Sequence, residues 1–306
     1  MPLLGSIFLN TVVPVFVLVL MGVLAGPRLG LDARTLSRVA YYLLIPAYVF
    51  DVLARAELPL AQVTRMGLHA AVVHLLCAIL GYGLARLLRR PPNVAAAYAL
   101  VAVFGNVGNF GLPIVQFDLG PGAQGAGTVY FLAILTVSFV VGVAVASAPR
   151  GVSGPLAVRR AVMAVVKTPA LLAIPPAVLV NALNLEVPLA AQRAVGLLGS
   201  AMIPIMLLAL GVQLASSAWP RLTLDVVYAS GVRLLAGPLL ALLLAAPFGV
   251  TGLERSVGVL QSAMPAAVLA SIIAIEYELL PQFVTACVLF STLASLLTLT
   301  AVLALY

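Results

Sequence analysis

The segment 104–113 combines two asparagines with helix-breaking residues inside a long apolar stretch. Its sequence, Phe-Gly-Asn-Val-Gly-Asn-Phe-Gly-Leu-Pro, places Asn106 and Asn109 between glycines and ahead of Pro113. Glycine adopts extended backbone at little steric cost and proline removes a backbone donor, so a continuous helix is disfavoured here. The side-chain amides offer both donors and acceptors. The segment is therefore predicted to be an interrupted helix with a polar site at its break.

A second segment, 261–265, interrupts a later apolar stretch in a similar way, with Gln261 and Ser262 just ahead of Pro265. If the two broken helices cross, the half-helices that begin after Pro113 and Pro265 direct their N-terminal amides at one point. Such a point favours an anion, typically a carboxylate. The alternative is a pair of ordinary proline kinks with the asparagines facing neighbouring helices. The candidate substrate-binding residues are Asn106, Asn109, Gly108, Gly111, Pro113, Gln261, Ser262, Pro265 and Arg233.

Arg233 lies in the middle of another apolar stretch, between Gly231 and Pro238. An arginine at the centre of a membrane helix costs on the order of 2.5 to 3.5 kcal/mol on insertion scales, so its charge needs compensation. Three interpretations are open. The guanidinium is a partner of the substrate anion, a counter-charge of the broken-helix region, or a group that extends to the membrane interface.

The other titratable and sulfur-bearing residues match no catalytic or metal-binding pattern. His69 and His74 are not at the i, i+4 spacing of a helical zinc site, so they are interpreted as packing residues or as a minor proton-coupling element. Cys77 and Cys287 lie in apolar stretches without ligand or redox spacing. Asp51 is interpreted as a boundary residue at the end of a span. No cofactor and no metal site are predicted.

The composition requires a membrane environment for most of the chain. Of its 306 residues, 63% are hydrophobic and only 8% are charged, whereas a soluble domain carries about 25% charged residues. A membrane-spanning helix needs about 20 apolar residues. The first apolar stretch is interpreted as a span rather than as a cleaved signal peptide. The predicted spans cover residues 6–26, 36–54, 66–88, 94–118, 127–148, 163–185, 191–216, 222–247, 252–276 and 281–305.

The distribution of Lys and Arg predicts how these spans are oriented. When the connections are assigned alternately to two sides of the membrane, one side holds most of the basic residues and is predicted to be cytoplasmic. Both termini then lie outside the cytoplasm. Because the basic residues are scattered between apolar stretches, the net charge of +7 does not indicate nucleic-acid binding. The basic residues on the predicted cytoplasmic side are Arg28, Arg34, Arg38, Arg86, Arg89, Arg90, Arg150, Arg159, Arg160, Lys167 and Arg221.

Prolines recur in matching spans of the two halves of the chain. Five spans per half is an odd number, so the second half would run through the membrane in the inverted orientation. We therefore predict an all-α membrane fold of ten spans in two inverted five-helix repeats, with broken, crossing helices 4 and 9. The repeats are 1–148 and 163–306, joined by a cytoplasmic loop at 149–162. The matching prolines are Pro14 with Pro175, Pro46 with Pro204, and Pro113 with Pro265.

Five short motifs follow one another along nearly the whole chain, at 42–50, 106–113, 203–211, 232–238 and 264–277. The first reads Tyr-Leu-Leu-Ile-Pro-Ala-Tyr-Val-Phe and the third Ile-Pro-Ile-Met-Leu-Leu-Ala-Leu-Gly. Together they resemble the motifs of the auxin efflux carrier family, including its short bacterial members described as malate or malonate permeases.

The resemblance implies a fold similar to that of sodium/bile-acid symporters. Spans 1, 2, 6 and 7 would form a scaffold, often dimeric, and spans 3–5 and 8–10 a moving core. Substrate would bind where the broken helices cross, near Asn106, Pro113 and Pro265, and would be carried by an elevator-type movement. Many relatives carry an asparagine four residues beyond the second crossover proline, whereas this chain has Leu269. The polar ligand set therefore departs from the family pattern at that position.

These observations predict a secondary transporter that moves small organic anions, either auxin-like or dicarboxylic acids, across the cell membrane by alternating access. The identity of the acid, the direction of transport, proton or sodium coupling and homodimer formation stay open. Two alternatives are a non-transporting membrane receptor or scaffold and an intramembrane enzyme. The enzyme would need paired acids, a Ser/His pair or a metal site within the spans.

Overall fold

The computed structural model describes residues 5, 8–148, 159, 162–163, 166–216 and 222–305, and nearly all of them are helical. Within this part of the chain, the one pairing of β type is an isolated antiparallel bridge between Gly105 and Ala266. The all-helical prediction is confirmed, whereas the ten-span inverted repeat stays a prediction. The helices are α1 (Phe8–Leu29), α2 (Ala33–Ala54), α3 (Leu60–Leu87), α4 (Pro92–Val103), α5 (Leu112–Leu119), α6 (Gln124–Ser147), α7 (Pro169–Ala182), α8 (Leu189–Ser216), α9 (Leu224–Ala245), α10 (Gly252–Ser262), α11 (Val268–Glu276) and α12 (Pro281–Leu303).

Seven of these helices are long and apolar enough to cross a membrane, namely α1, α2, α3, α6, α8, α9 and α12, when α6 is counted from Pro121. Predicted spans 4 and 9 each consist of two shorter helices, α4 with α5 and α10 with α11. The prediction that a connection reaches residue 65 is wrong, because α3 begins at Leu60. Arg65 lies on the helix, and its side chain packs beside Gly249. A charged residue near a helix end keeps its head group at the interface and so does not mark the end.

Most of the predicted cytoplasmic loop 149–162 lies outside the described residues. The same is true of Arg150, Arg160 and Arg221, three of the basic residues that support the predicted orientation.

The helices form two groups that pack mainly within themselves. The first helix group consists of α1, α2, α7 and α8, and Gly22 of α1 lies directly against Gly211 of α8. A Cβ atom on Gly22 would overlap the carbonyl oxygen of Leu208, and one on Gly211 would overlap that of Val19. Small residues allow this backbone contact, which replaces the hydrophobic driving force that is absent between helices in lipid.

The second helix group consists of α3 to α6 and α9 to α12. At its centre is α4, in which every side chain from Ala95 to Val103 is buried. Burial on all sides explains why this stretch is apolar without a polar face. The two groups coincide with the division into spans 1, 2, 6 and 7 against spans 3–5 and 8–10 that the resemblance implies.

Polar contacts fix the ends of two helices outside the apolar interior. Asp225, at the start of α9, accepts hydrogen bonds from Arg90 Nε at 3.0 Å and from the Tyr98 hydroxyl at 2.6 Å, which ties α9 to α4. Asp32 caps α2, since its carboxylate accepts from the hydroxyl of Thr35 at 2.7 Å and from its N–H at 2.8 Å. The Thr35 hydroxyl, as the largest influence, lowers the pKa of Asp32 below its ordinary value.

Candidate functional site

The two helix breaks cross each other as short antiparallel segments. The Asn106 N–H donates to the Pro265 carbonyl oxygen at 2.7 Å, and the Ala267 N–H donates to the Phe104 carbonyl oxygen at 2.8 Å. These bonds satisfy backbone groups that the breaks release in an apolar interior, where each unpaired group would be costly. The breaks are therefore extended and paired, not ordinary proline kinks. We call this region, residues 104–111 and 261–268, the crossover.

The second half of the first broken helix begins before Pro113, not after it as predicted. A π-helical turn, Val107–Gly111, leads into α5, in which Pro113 is the second residue. Proline is accepted there because it suits the first turn of a helix. The break itself lies at residues 104–106, where the helix is interrupted: Phe104 is extended, and Gly105 and Asn106 pair with the opposite segment. In the second broken helix, the half that follows the break is α11, and it begins after Pro265, at Val268, as predicted.

Arg233 joins the two breaks from α9. The side chain is fully buried, Nε donates to the Met264 carbonyl at 3.1 Å, Nη1 donates to the Ala102 carbonyl at 2.9 Å, and Nη2 donates to the Ser262 carbonyl. These oxygens lie at or just beyond the C-terminal ends of α4 and α10, where helix dipoles concentrate negative charge. These contacts favour the interpretation of the guanidinium as the counter-charge of the broken-helix region. The interpretation that it extends to the membrane interface is wrong.

Gln261 links the end of α10 to the start of α5. Its Nε2 donates to the Gly127 carbonyl oxygen of α6 at 3.3 Å. Its Oε1 lies so close to Gly111 that a Cβ atom on that residue would overlap it. Two candidate residues from opposite halves of the chain therefore contact each other, and the absence of a side chain at residue 111 is what permits the contact.

Three candidate side chains carry a buried polar atom that has no hydrogen-bond partner among the described residues. These atoms are Asn106 Nδ2, Gln261 Oε1 and Ser262 Oγ. Asn106 is 5% exposed, and the other two residues are fully buried. Leaving such an atom unpaired costs about 1 to 3 kcal/mol, so buried polar groups normally have partners. Their presence where two helix breaks cross is what a site for a polar ligand requires.

Two further candidates, Gly108 and Asn109, lie in the π-helical turn of the crossover. Gly108 packs against Phe131 of α6 and Met206 of α8, so the π-helical turn touches the first helix group. Asn109, one residue further on, is partly exposed. Leu269, at the position where many relatives carry asparagine, is a partly buried residue packed against the apolar core.

Sequence reasoning missed two residues that support the crossover, Gly127 and Ser291. The Gly127 carbonyl accepts from Gln261, and the Ser291 hydroxyl accepts from the Ala266 N–H at 3.0 Å, which satisfies a donor of the second break. Neither residue belongs to a motif. A serine within an otherwise apolar span is the one signal that could have indicated Ser291, because such residues bond to neighbouring helices.

The two histidines of α3 are buried in the second helix group. His69 Nε2 lies 2.9 Å from the Ala241 carbonyl, which can only accept, so in the neutral imidazole this nitrogen carries the proton and Nδ1 accepts from the Tyr130 hydroxyl at 2.9 Å. His74 Nδ1 pairs with the Ala70 carbonyl at 3.0 Å. The residues described here include no cluster of three His, Cys, Asp or Glu side chains that could hold a metal ion.

A cavity of about 600 Å³ lies between the two helix groups, at the end of the bundle where α2 ends and α10 begins. Asp51 and Arg55, which form an ion pair, line its α2 wall, so Asp51 faces a cavity at its predicted boundary position. Ala126 of α6 lines the opposite wall. The next residue, Gly127, binds Gln261 through its carbonyl. A single residue of α6 therefore connects the cavity wall to the hydrogen bonds of the crossover.

Comparison with known proteins gives two matches. The family described as membrane transport protein matches residues 7–148 and 156–303. A protein of Methanothermobacter thermautotrophicus, described as an uncharacterized transporter, is 30% identical over 298 residues, which is 95% of this chain and 95% of that protein. Both matched ranges of the family include one helix break, and the second range includes Arg233.

Proposed function

Because the chain belongs to the membrane transport protein family, that of the auxin efflux carriers, we propose that it carries small organic anions, namely carboxylates, by alternating access. The observation that carries this proposal is the set of unpaired, buried polar atoms of Asn106, Gln261 and Ser262 at the crossover. Buried polar atoms normally have a hydrogen-bond partner, and three unpaired atoms at one point are the groups that a bound polar ligand would satisfy.

Four features of the crossover favour an anion. The π-helical turn that leads into α5 and the first turn of α11 each present N–H groups that have no acceptor within their own helix. Both helix starts also carry partial positive charge. Asn106 adds a side-chain amide that can donate to a carboxylate oxygen. Arg233 places a full positive charge next to the breaks, although its hydrogen bonds go to backbone carbonyls.

Alternating access would come from movement of the second helix group against the first. The cavity between the groups supports this proposal, because its wall includes Ala126, the residue before the carbonyl that holds Gln261. The contact of Gly108 with Met206 lies at the surface along which the groups would slide. An elevator-type shift would carry the bound anion past the first helix group to the opposite side.

The contacts of Arg233 support transport that is driven by the charge of the substrate and needs no coupled cation. Carbonyl oxygens at helix C-termini can coordinate a cation, but those of Ala102, Ser262 and Met264 accept hydrogen bonds from the guanidinium. A monoanion that leaves a negative-inside cell gains about 2.3 kcal/mol per 100 mV without a coupled ion. Sodium and proton coupling are the alternatives, and the buried histidines of α3 would be the groups to test for protons.

The remaining parts of the proposal concern the surroundings of the protein. We place it in the plasma membrane with both termini outside the cytoplasm. Leucines on α1 and α8 are exposed. In a monomer they would face lipid, and in a homodimer formed through the first helix group they would face a second copy of the chain.

The test is electrogenic uptake of malate, malonate and indole-3-acetate into liposomes that contain the purified protein, at both membrane polarities. At least one acid should be transported, with a current whose sign follows the movement of negative charge. Asn106→Leu should abolish transport, because it replaces the amide donor by an apolar side chain of similar size. The melting temperature of each variant shows whether the protein is folded.

Thr298→Val is the matched control, since Thr298 Oγ1 is another buried atom without a partner in the described part of the chain but lies on α12, away from the crossover. This variant should transport normally. Absence of transport for every carboxylate at both polarities, with folded protein, would overturn the proposal. Equal loss of transport in Asn106→Leu and Thr298→Val would show that transport does not depend specifically on the unpaired groups of the crossover.

A further inference from the structure

The side-chain amide of Gln261 has a fixed orientation. Its neighbour on one side is the Gly127 carbonyl oxygen, 3.3 Å away, and a carbonyl oxygen can only accept. The nitrogen must therefore face Gly127, which turns Oε1 the other way. There Oε1 lies against Gly111, in the π-helical turn that begins the second half of the first broken helix. No donor in the described part of the chain reaches this oxygen, which is fully buried.

Gln261 Oε1 differs from the other polar groups of the crossover because it has a fixed polarity, which means that it can act only as a hydrogen-bond acceptor. The hydroxyl of Ser262 can donate or accept, and the amide of Asn106 can rotate to offer either its nitrogen or its oxygen. Backbone N–H groups at the helix starts can only donate. Gln261 Oε1 alone, within this set, can do nothing but accept. A plain carboxylate offers only acceptors, so it pairs with the donors and leaves Oε1 unpaired.

We infer that Gln261 is a specificity-determining residue that selects carboxylates bearing a hydroxyl next to the carboxylate over the same acids without it. This inference rests on the proposed function and adds the substrate class to it. The carboxylate binds the donors of the helix starts and Asn106, and the substrate hydroxyl donates to Gln261 Oε1. A site built to pair with a substrate hydroxyl discriminates against the analogue that lacks it, because a buried group of the site is then left unpaired.

The experiment compares matched pairs of acids as ligands of the full-length protein in liposomes. The pairs are 2-hydroxypropionate with propionate and 2-hydroxysuccinate with succinate, each measured by the concentration that gives half-maximal transport or half-maximal competition. For at least one pair, the hydroxy acid should be favoured by roughly five- to a hundredfold, the range that corresponds to one unpaired buried acceptor. This measurement needs no variant, so it does not depend on a variant that folds.

Gln261→Met should then reduce the preference to within about twofold of equality, because methionine has similar length and presents no strong acceptor. Ser262→Ala should retain the preference even if both acids bind more weakly, because the hydroxyl of Ser262 has no fixed polarity. Equal affinity for both members of each pair in the unaltered protein would overturn the inference. A preference that survives in folded Gln261→Met would overturn it as well.

The pH dependence of substrate affinity shows whether the hydrogen donated to Gln261 Oε1 comes from a hydroxyl or from a protonated carboxyl group. A protonated carboxyl group could also donate to Gln261 Oε1, and in that case both members of a pair would bind more tightly as the pH falls towards the pKa of the acid. Such a common increase, without a preference between members, would overturn the assignment to a hydroxyl. Transport of carboxylates with no preference contradicts this inference alone, whereas transport of no carboxylate contradicts the proposed function together with it.

Discussion

The two helix breaks differ in where they lie and in how their polar groups are satisfied. The second break, residues 263–267, is buried throughout and lies within the second helix group, where Ser291 accepts from the Ala266 N–H. The first break continues into a glycine-rich turn that reaches the other group, with Gly108 against Met206 of α8 and Asn109 partly exposed. The first break therefore lies at the surface that movement would change, and the second is held inside.

This difference indicates a division of tasks between two segments that look alike in sequence. Proline and a neighbouring polar residue mark both. The backbone of residues 263–267 is supported by protein groups, and the unpaired atoms of Gln261 and Ser262 lie before it, at the end of α10. The first break itself retains an unpaired amide in Asn106. Arg233 serves both, since it donates to carbonyls at the ends of α4 and α10. We expect changes in the groups that support residues 263–267, such as Ser291, to affect mainly stability, and changes in the side chains with unpaired polar atoms, such as Asn106 and Gln261, to affect mainly binding.

Replacement of Arg233 should have the largest effect, because it acts on both breaks at once. Arg233→Leu would leave three buried carbonyl groups without their donor, and each unpaired group costs about 1 to 3 kcal/mol. We expect little folded protein, measured as monodisperse yield in detergent and as melting temperature. Arg255→Leu, at an exposed arginine of α10, is the control and should be tolerated. A stable Arg233→Leu protein would contradict the role of the guanidinium as a counter-charge.

Gly111→Ala tests the contact between Gly111 of the first broken helix and Gln261 of the second. The added Cβ would overlap Gln261 Oε1 and displace a side chain that is fixed by Gly127. Overpacking of this kind costs about 1 to 3 kcal/mol, and transport should be lost with it. Gly67→Ala is the matched control, because a Cβ atom at residue 67 of α3 meets no atom within 4 Å. Normal transport by Gly111→Ala would show that the position of Gln261 is not critical.

Ser291→Ala tests the second break alone. The Ala266 N–H would lose its acceptor, so we expect the free energy of unfolding to fall by about 1 to 2 kcal/mol. Substrate affinity should stay within about twofold of the unaltered protein, since no ligand contact is assigned to Ser291. Asn106→Leu should give the opposite result, with lost binding and a smaller change in melting temperature. Similar effects of both variants on binding would refute the proposed division between the breaks.

The smallest expected effect lies away from both breaks, at the cap of α2. Hydrogen bonds from Thr35 lower the pKa of Asp32, so its contribution to stability is present at neutral pH and is lost as the pH falls through that lowered value. Asp32→Asn should reduce the melting temperature slightly near pH 7, with no change in transport. The difference between the two proteins should shrink as the pH is lowered below about 4. A difference independent of pH would contradict the assignment.

Local composition was sufficient to predict several features of the fold. Long apolar stretches with few charges have no stable alternative to membrane helices, so the spans of α1, α6 and α8 could be located to within a few residues. Gly105 and Asn106 were recognised as part of a break because glycine lowers the cost of extended backbone. The start of α3 was misplaced because the charge of Arg65 was equated with a boundary, although a long side chain can reach the interface from within a helix.

The sequence by itself determined that this protein is helical, lies in a membrane and contains two polar interruptions, because these properties depend on residues adjacent in the chain. Only the tertiary structure decided which polar groups find a partner within the described part of the protein and which stay unpaired. Arg233 could have been a substrate partner from its sequence context, and its three carbonyl acceptors come from segments distant in the chain. Gln261 likewise acquires its fixed polarity from Gly127 and its fit from Gly111. Hydrogen-bond satisfaction in an apolar interior is a property of the packed chain, since each donor must find an acceptor on another helix.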